Sequence, residues 1–279
     1  MYKLANRHKV ASLFESYDWN YMAAAILDGH HGEVLVDDLE SPEIAVLRLP
    51  SLNLMIVGGD PASPSARSFC SGLSRRSILF FVDRHEEWVK LGREYHGAAF
   101  FELSRYAFTS NLLDPAHIHR LRDRPLDGLV LAPMGIGLAT QLKAEKGEFA
   151  EDHLGNFASL EEFTEKGFGF VILDGDEIVS VASTFVVCDA GIEIQINTRK
   201  KYQDRGLGTV VGAALIAESL ERGLDPNWDA ASERSAGLAR KFGYTDQGEY
   251  KMVIVFGSRL LVSFLLGIKR IVGFFKKRE

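Results

Sequence analysis

Short runs alternating at period two, longer helical-period runs between them, and one element order recurring in both halves predict an α/β chain with mixed sheets, built as two units. Each half reads as helices, a three-stranded meander, a helix, a strand, a helix and a strand, which predicts an internal duplication at a spacing of ~120–130 residues. The length of 279 residues agrees, since compact domains cluster at ~100–150 residues. The expected boundaries are 1–125 for the first unit, 126–257 for the second and 258–279 for a terminal helix.

In the first unit, residues 8–17 and 21–27 show helical spacing and 32–37 alternates as a strand. Two further strands, 43–49 and 52–58, join at Leu49-Pro50-Ser51, and Pro61, Pro64 and Ser65 open a helix. A buried strand over 77–83, a helix over 85–95 with Asp83 as N-cap, and a long strand over 98–109 complete the unit. The polar stretch 114–127 contains Pro115 and Pro125 without a sustained period and reads as a connector.

The second unit begins with a strand at 129–132, a helix over 137–146, and a helix over 159–166 whose Ser159 and Glu162 form a capping box. A meander follows at 168–173, 177–187 and 192–198, with turns at Asp174-Gly175-Asp176 and near Gly191. An apolar helix over 207–221, a strand near Trp228 and Asp229, a helix over 233–241 and a strand around 249–256 close it.

The composition, 46% hydrophobic and 25% charged, is that of a soluble globular protein. A net charge of −6 and a pI near 5.8 exclude a general nucleic-acid role, which needs a clustered excess of Lys and Arg. Cys70 and Cys188 lie far apart, without zinc-site spacing, and read as buried thiols of a reducing cytosol. No histidine grouping has an acid or cysteine at ligand spacing, so no metal site is expected. The N-terminus lacks the apolar core and cleavage site of a signal peptide, and the expected location is cytoplasmic. In the segment 258–279, Arg259, Lys269 and Arg270 interrupt the apolar run before the ~20 residues of a spanning helix. Its apolar bulk and basic end suit a peripheral membrane contact or a dimer contact.

Chemistry concentrates where a strand, a glycine-rich turn and a helix start are contiguous, from Ile192 to Thr209. Gly206 and Gly208 carry no Cβ to obstruct a ligand, and the first N–H groups of the following helix have no partner within it. A diphosphate fits such a turn. The alternative Gly135-Ile136-Gly137 begins like a dinucleotide fingerprint but has Thr140 in place of the third glycine. No Gly-x-Ser-x-Gly elbow is present to anchor an esterase triad.

Gln203-Asp204-Arg205-Gly206-Leu207-Gly208 resembles the Gln/Arg-x-x-Gly-x-Gly/Ala signature of the GNAT superfamily of acetyl-CoA-dependent N-acetyltransferases. Three meander strands precede it, and Trp228-Asp229-Ala230 and Lys241-Phe242-Gly243-Tyr244 resemble the superfamily's next strand and helix, so the resemblance spans 129–256. It implies two GNAT-like domains in tandem, the first a degenerate copy in which Gly58-Gly59-Asp60-Pro61 replaces the glycine loop.

The resemblance further implies that acetyl-CoA is the co-substrate and the primary amine of a small molecule the acceptor. The pantetheine would lie along Ile196, Asn197 and Thr198, and the diphosphate on Gln203, Asp204, Arg205, Gly206, Leu207, Gly208 and Thr209. Ser232 stands where relatives carry a pantetheine-contacting Asn, and Ala239 where many carry a Tyr acid, leaving Tyr244 or Tyr250 as substitutes. Glu193 shares a strand face with Gln195 and Asn197 and is the candidate general base. Loss of the tyrosine keeps a second reading open, a non-catalytic acyl-CoA-binding regulatory module.

Overall fold

The computed structural model describes residues 1–17, 19–145 and 153–256, so the expected terminal helix 258–279 lies outside the described residues. The chain divides into two compact units. Of the described residues, Met1–Tyr17, Glu33–Leu103 and 251–256 form one, and 19–32 with 104–145 and 153–250 the other. These units differ from the contiguous halves expected at 125 and 126, because contacts group the chain independently of its order. The helix Tyr21–Leu27 belongs to the second unit, where the Tyr21 hydroxyl donates to Asp225, 204 residues away.

In the first unit the strands Tyr2–Lys3, Glu33–Val36, Ile44–Leu49 and Leu54–Gly59 pair antiparallel in that order. Ile78–Phe81 then pairs parallel to Leu54–Gly59, and Val253 and Ile254 pair antiparallel beyond it. The core of this unit joins Ile44, Val46, Val57 and Val253 to an aromatic stack in which Phe81 and Trp88 lie 5.2 Å apart. Ser63 caps the helix Pro64–Ser71 by accepting from the Ala66 N–H at 3.1 Å. The helix His85–His96 does not use the expected Asp83 cap. Its N-cap is Arg84, in the left-handed region at φ 55, because both Asp83 oxygens accept instead from the Ser16 hydroxyl at 3.0 Å.

In the second unit, five strands of the described residues form a sheet in the order Asp225–Asn227, Gly191–Thr198, Glu177–Val187, Gly169–Asp174 and Val130–Pro133. All neighbours are antiparallel except the first pair. On one face the helix Leu207–Glu221 is buried almost throughout, against Ile172, Ile192 and Ile194. Gly212 permits this approach, since a Cβ there would stand 2.6 Å from Ile196 and 2.8 Å from Phe242. On the other face Phe163, Leu142 and Ala139 cover Val171, Ile178 and Val181. The expected capping residue Ser159 accepts from the Glu162 N–H at 3.1 Å, and Glu162 reaches back one residue further than expected, to the Ala158 N–H at 2.6 Å.

The stretch read as a connector contains a helix, Pro115–Arg122, with Asp114 accepting from the Ala116 N–H at 2.9 Å. Proline at the first helical turn lacks only an N–H that would have had no partner, so it starts this helix instead of breaking it. Ile118 and Leu121 bury against the helix Leu207–Glu221.

Candidate functional site

The site is built on a fork between two parallel strands. Gly191, Ile192 and Glu193 pair with Asp225, Pro226 and Asn227, and there the register ends. A Cβ on Gly191 would lie 2.0 Å from the Asp225 carbonyl oxygen, so only glycine lets the strands meet at the base. Past Asn227 the chain leaves the sheet at Trp228, and Asp229 and Ala230 pair instead with Ala107 and Tyr106 of the strand Phe100–Thr109. The partner strand Glu177–Val187 carries a bulge opposite this point: Glu193 faces Val186 and Ile194 faces Thr184. Asn156 satisfies the bulged residue by donating to the Phe185 carbonyl at 3.0 Å. Bulges of this kind concentrate beside functional sites.

Beyond the fork, Ile194 to Thr198 keep one ladder, to Ser180–Thr184, and are partly open from Gln195 onward. This places Ile196, Asn197 and Thr198 on the unpaired arm. Ile192, Ile194 and Ile196 pack toward the helix Leu207–Glu221, while Glu193, Gln195 and Asn197 alternate to the other face, as the spacing predicts.

The strand leads into a turn at Lys200–Tyr202 and then the glycine loop. Gln203 braces it, its side-chain N–H₂ donating to the Thr198 carbonyl at 3.0 Å and its side-chain oxygen accepting from Arg234 at 2.9 Å. Arg234 also donates to Asp204 at 3.0 Å, and Asp204 sits at φ 63. Gly206, at φ 81, is the N-cap of Leu207–Glu221 and supplies no side-chain cap. A Cβ at Gly206 would meet nothing within 4 Å, and one at Gly208 nothing nearer than Thr198 Oγ1 at 3.5 Å. The helix start is therefore open and carries the positive end of the helix dipole. Asp204, Arg205 and Gly206 are exposed, Leu207 and Thr209 buried, and Lys241 donates to Thr209 Oγ1 at 2.9 Å. Ser232, exposed, is the N-cap of the helix Glu233–Phe242 and accepts from the Ser235 N–H at 3.3 Å.

Glu193 is not a solvated strand acid. It is 5% exposed, its Oε2 accepts from Asn227 Nδ2 at 2.6 Å and its Oε1 from the Asp229 N–H at 3.0 Å. The carboxylate thus replaces ladder bonds where the strands part. Burial, and then the Asp229 carboxylate, push its carboxyl up to about 8. Asp229, with a side chain 2% exposed, receives Arg105 Nε on both oxygens at 3.0 Å and the Tyr250 hydroxyl on Oδ2 at 2.6 Å. The ring of Trp19 meets that of Tyr250 edge-on at 4.9 Å.

Tyr244, one of the two tyrosines expected to substitute for the acid, packs behind the fork. Its hydroxyl donates to the Pro226 carbonyl at 2.6 Å, its ring packs on Trp228, and burial holds its pKa well above the usual phenol value. The phenol is enclosed and its proton is committed to a backbone carbonyl. Ala239 is fully buried in the same core.

Comparison with known proteins fits this geometry. The family model described as GNAT acetyltransferase matches residues 11–253. The chain belongs to the GNAT acetyltransferase family. It is 26% identical over 257 residues to an uncharacterized N-acetyltransferase, YdfB, of Bacillus subtilis, spanning 88% of this chain and 95% of that one. It superposes on a GCN5-related N-acetyltransferase-like protein from Streptococcus suis with a TM-score of 0.80 at 30% identity, over 89% of this chain and 98% of that one. A GCN5-related N-acetyltransferase from Kribbella flavida shares the fold at 14% identity and a TM-score of 0.58, over 92% and 98% of the two chains.

The glycine loop and the strand face that carries Glu193 follow from local sequence; Arg105, Asn227 and Tyr250 as a connected group do not. Arg105 and Asp229 are 124 residues apart, and no local pattern joins them. Asp189 likewise comes from 159 residues away to join Asp28 and His30, the ligand-type atoms of the three lying within 4.8 Å of one another near the surface, His30 Nε2 and Asp189 Oδ1 at 2.7 Å. The two cysteines are buried, and burial raises their thiols to about 12 for Cys70 and about 11 for Cys188, which leaves them poor nucleophiles. Among the described residues no helix is long and apolar enough to cross a membrane.

Proposed function

We propose that this GNAT acetyltransferase moves an acetyl group from acetyl-CoA to a primary amine of a small molecule. The observation that carries the reading is the uncapped start of the helix Leu207–Glu221. Its N-cap Gly206 offers no side chain, the space around it is empty, and the open arm of the fork leads directly to it. Backbone N–H groups of Gly206, Leu207 and Gly208 hold the diphosphate, with the helix dipole adding attraction, while the Thr209 N–H donates to the Gly206 carbonyl at 3.0 Å. Gln203, Asp204 and Arg205 shape the loop, and Ile196, Asn197 and Thr198 supply backbone to the pantetheine as an added half-strand. Ser232, committed to its own helix start, borders the arm. Glu193 holds the fork at the width the thioester needs.

The acetyl group reaches the nitrogen at the fork, where Gln195 and Asn197 line the open face. Incubation with acetyl-CoA and a panel of primary amines, read by release of coenzyme A thiol and by mass of the product, tests this. Acetylated amine with stoichiometric thiol is the expected result. A second reading has its own observations: Ala239 lies in the core and Tyr244 is bonded to Pro226, so the usual acid is missing. Acetyl-CoA binding without thiol release across the panel is the outcome that favours this non-catalytic acyl-CoA-binding regulatory module.

A further inference from the structure

Two strands that begin side by side do not part without a cause. Each further residue pair of a parallel ladder satisfies backbone N–H and C=O groups, so the chain past Asn227 leaves the sheet only if its backbone finds other partners. Asp229 finds them on both sides. Its N–H donates to Glu193 Oε1 at 3.0 Å, its carbonyl accepts from a guanidinium nitrogen of Arg105 at 3.3 Å, and its carboxylate receives Arg105 Nε at 3.0 Å on each oxygen. The side chains of this ion pair are 2% exposed for Asp229 and 19% for Arg105.

The new ladder is too short to direct the departing strand alone, since it runs for two residues, Asp229 and Ala230 against Ala107 and Tyr106. Trp228 packs on Phe242 and Tyr244 at 5.5 Å and anchors the point of divergence, but the course of the chain after it depends on Asp229. A carboxylate this buried needs a countercharge, which commits Asp229 to the strand that carries Arg105. Hydrogen bonds between charged groups are roughly twice as strong as neutral ones, and the planar guanidinium holds carboxylate and carbonyl at once, which a lysine ammonium does not.

Resting on the acetyl-transfer reading, we propose that Arg105 is the positioning residue that sets the opening of the fork and thereby admits the pantetheine arm of acetyl-CoA. With Asp229 clipped to the strand Phe100–Thr109, the edge of Ile194 to Thr198 that faces the gap keeps backbone groups for an extended ligand. Release of the clip lets the chain after Asn227 rejoin Ile194 and Gln195, and the slot closes. The helix start at Gly206 keeps its geometry meanwhile, because its bracing runs through Gln203, Arg234 and Thr198. The two parts of one ligand are thus held separately: pantetheine binding depends on Arg105, and diphosphate binding does not.

Calorimetric titration of the full-length protein with acetyl-CoA and with 3′-phospho-ADP, which is coenzyme A without its pantetheine arm, reads the two parts apart. Arg105→Lys keeps the charge and loses the planar fork. Arg105→Met combined with Asp229→Asn removes both charges, so that neither is left buried alone, and thermal unfolding checks that each variant is folded. Wild type should bind acetyl-CoA about 10-fold or more tighter than 3′-phospho-ADP, and in both variants that ratio should fall toward one with the affinity for 3′-phospho-ADP unchanged. A parallel weakening of both ligands, as a merely structural role gives, or an unchanged ratio in the folded variants overturns the clip. Equal binding of the two ligands by the wild type overturns it as well, while leaving the diphosphate site intact. Binding of neither ligand by the wild type overturns the acetyl-CoA reading and the clip with it.

Discussion

Both units carry glycines between a strand and the helix that follows it, and they use them in opposite ways. In the first unit Gly59, at φ 116, is consumed by sheet packing: a Cβ would stand 2.2 Å from the Glu43 carbonyl oxygen. The helix that follows is closed by its own residues, with Ser63 accepting from Ala66 and Asp60 accepting from Ala62 at 2.9 Å and from Arg84. In the second unit Gly206 faces empty space and caps nothing with a side chain. The same local signal thus marks close packing in one place and a helix start without a side-chain cap in the other. What distinguishes them is whether side chains already meet the helix N–H groups.

Substitutions can break this contrast. The largest effect is expected for Gly59→Ala, where positive φ and backbone overlap together cost about 2–4 kcal/mol of stability with acetyl-CoA affinity intact, read by denaturant unfolding. Next comes acid. In the second unit His153 is enclosed and burial brings its pKa down to about 3, while His31 is lowered by burial and is bonded on both ring nitrogens, to the Asn156 carbonyl and the Val187 N–H. Both are neutral when folded and protonate more readily when unfolded. Their contribution is complete above the unfolded histidine pKa of ~6.5 and falls as pH drops toward the folded value, by about 1.4 kcal/mol per pH unit for His153. Hydrogen exchange at decreasing pH should show the second unit opening first.

Smaller effects sharpen the same point. Gly206→Ala meets no atom, so only its φ of 81 is strained, and about 1–2 kcal/mol is expected in thermal unfolding. Ser63→Ala should cost about 1 kcal/mol in the first unit by removing a cap of the kind that the helix Leu207–Glu221 does without.

Much of this was legible in the sequence because it is local. The strand Glu177–Val187 and the helix Leu207–Glu221 fall where alternation and apolar content predict, and the loop from Gln203 to Gly208 is one contiguous motif. The helix Pro115–Arg122 escaped because eight residues with two buried positions give too short a period to detect, and its proline read as a breaker. Alternation put Glu193 on the correct face, yet its burial depends on Asn227 and Asp229, 34 and 36 residues away, and the pull of Arg105 depends on a partner 124 residues distant. The division into units was illegible for the same reason.

The central claim is that the open start of the helix Leu207–Glu221 binds the diphosphate of acetyl-CoA. Calorimetric titration of acetyl-CoA into the wild type and into Gly206→Glu tests it most directly, with thermal unfolding confirming that the variant is folded. Binding by the wild type that weakens about 100-fold or more in the variant, on the order of 3 kcal/mol, is the expected result. Absence of binding in the wild type, or equal binding by a folded variant, contradicts the claim.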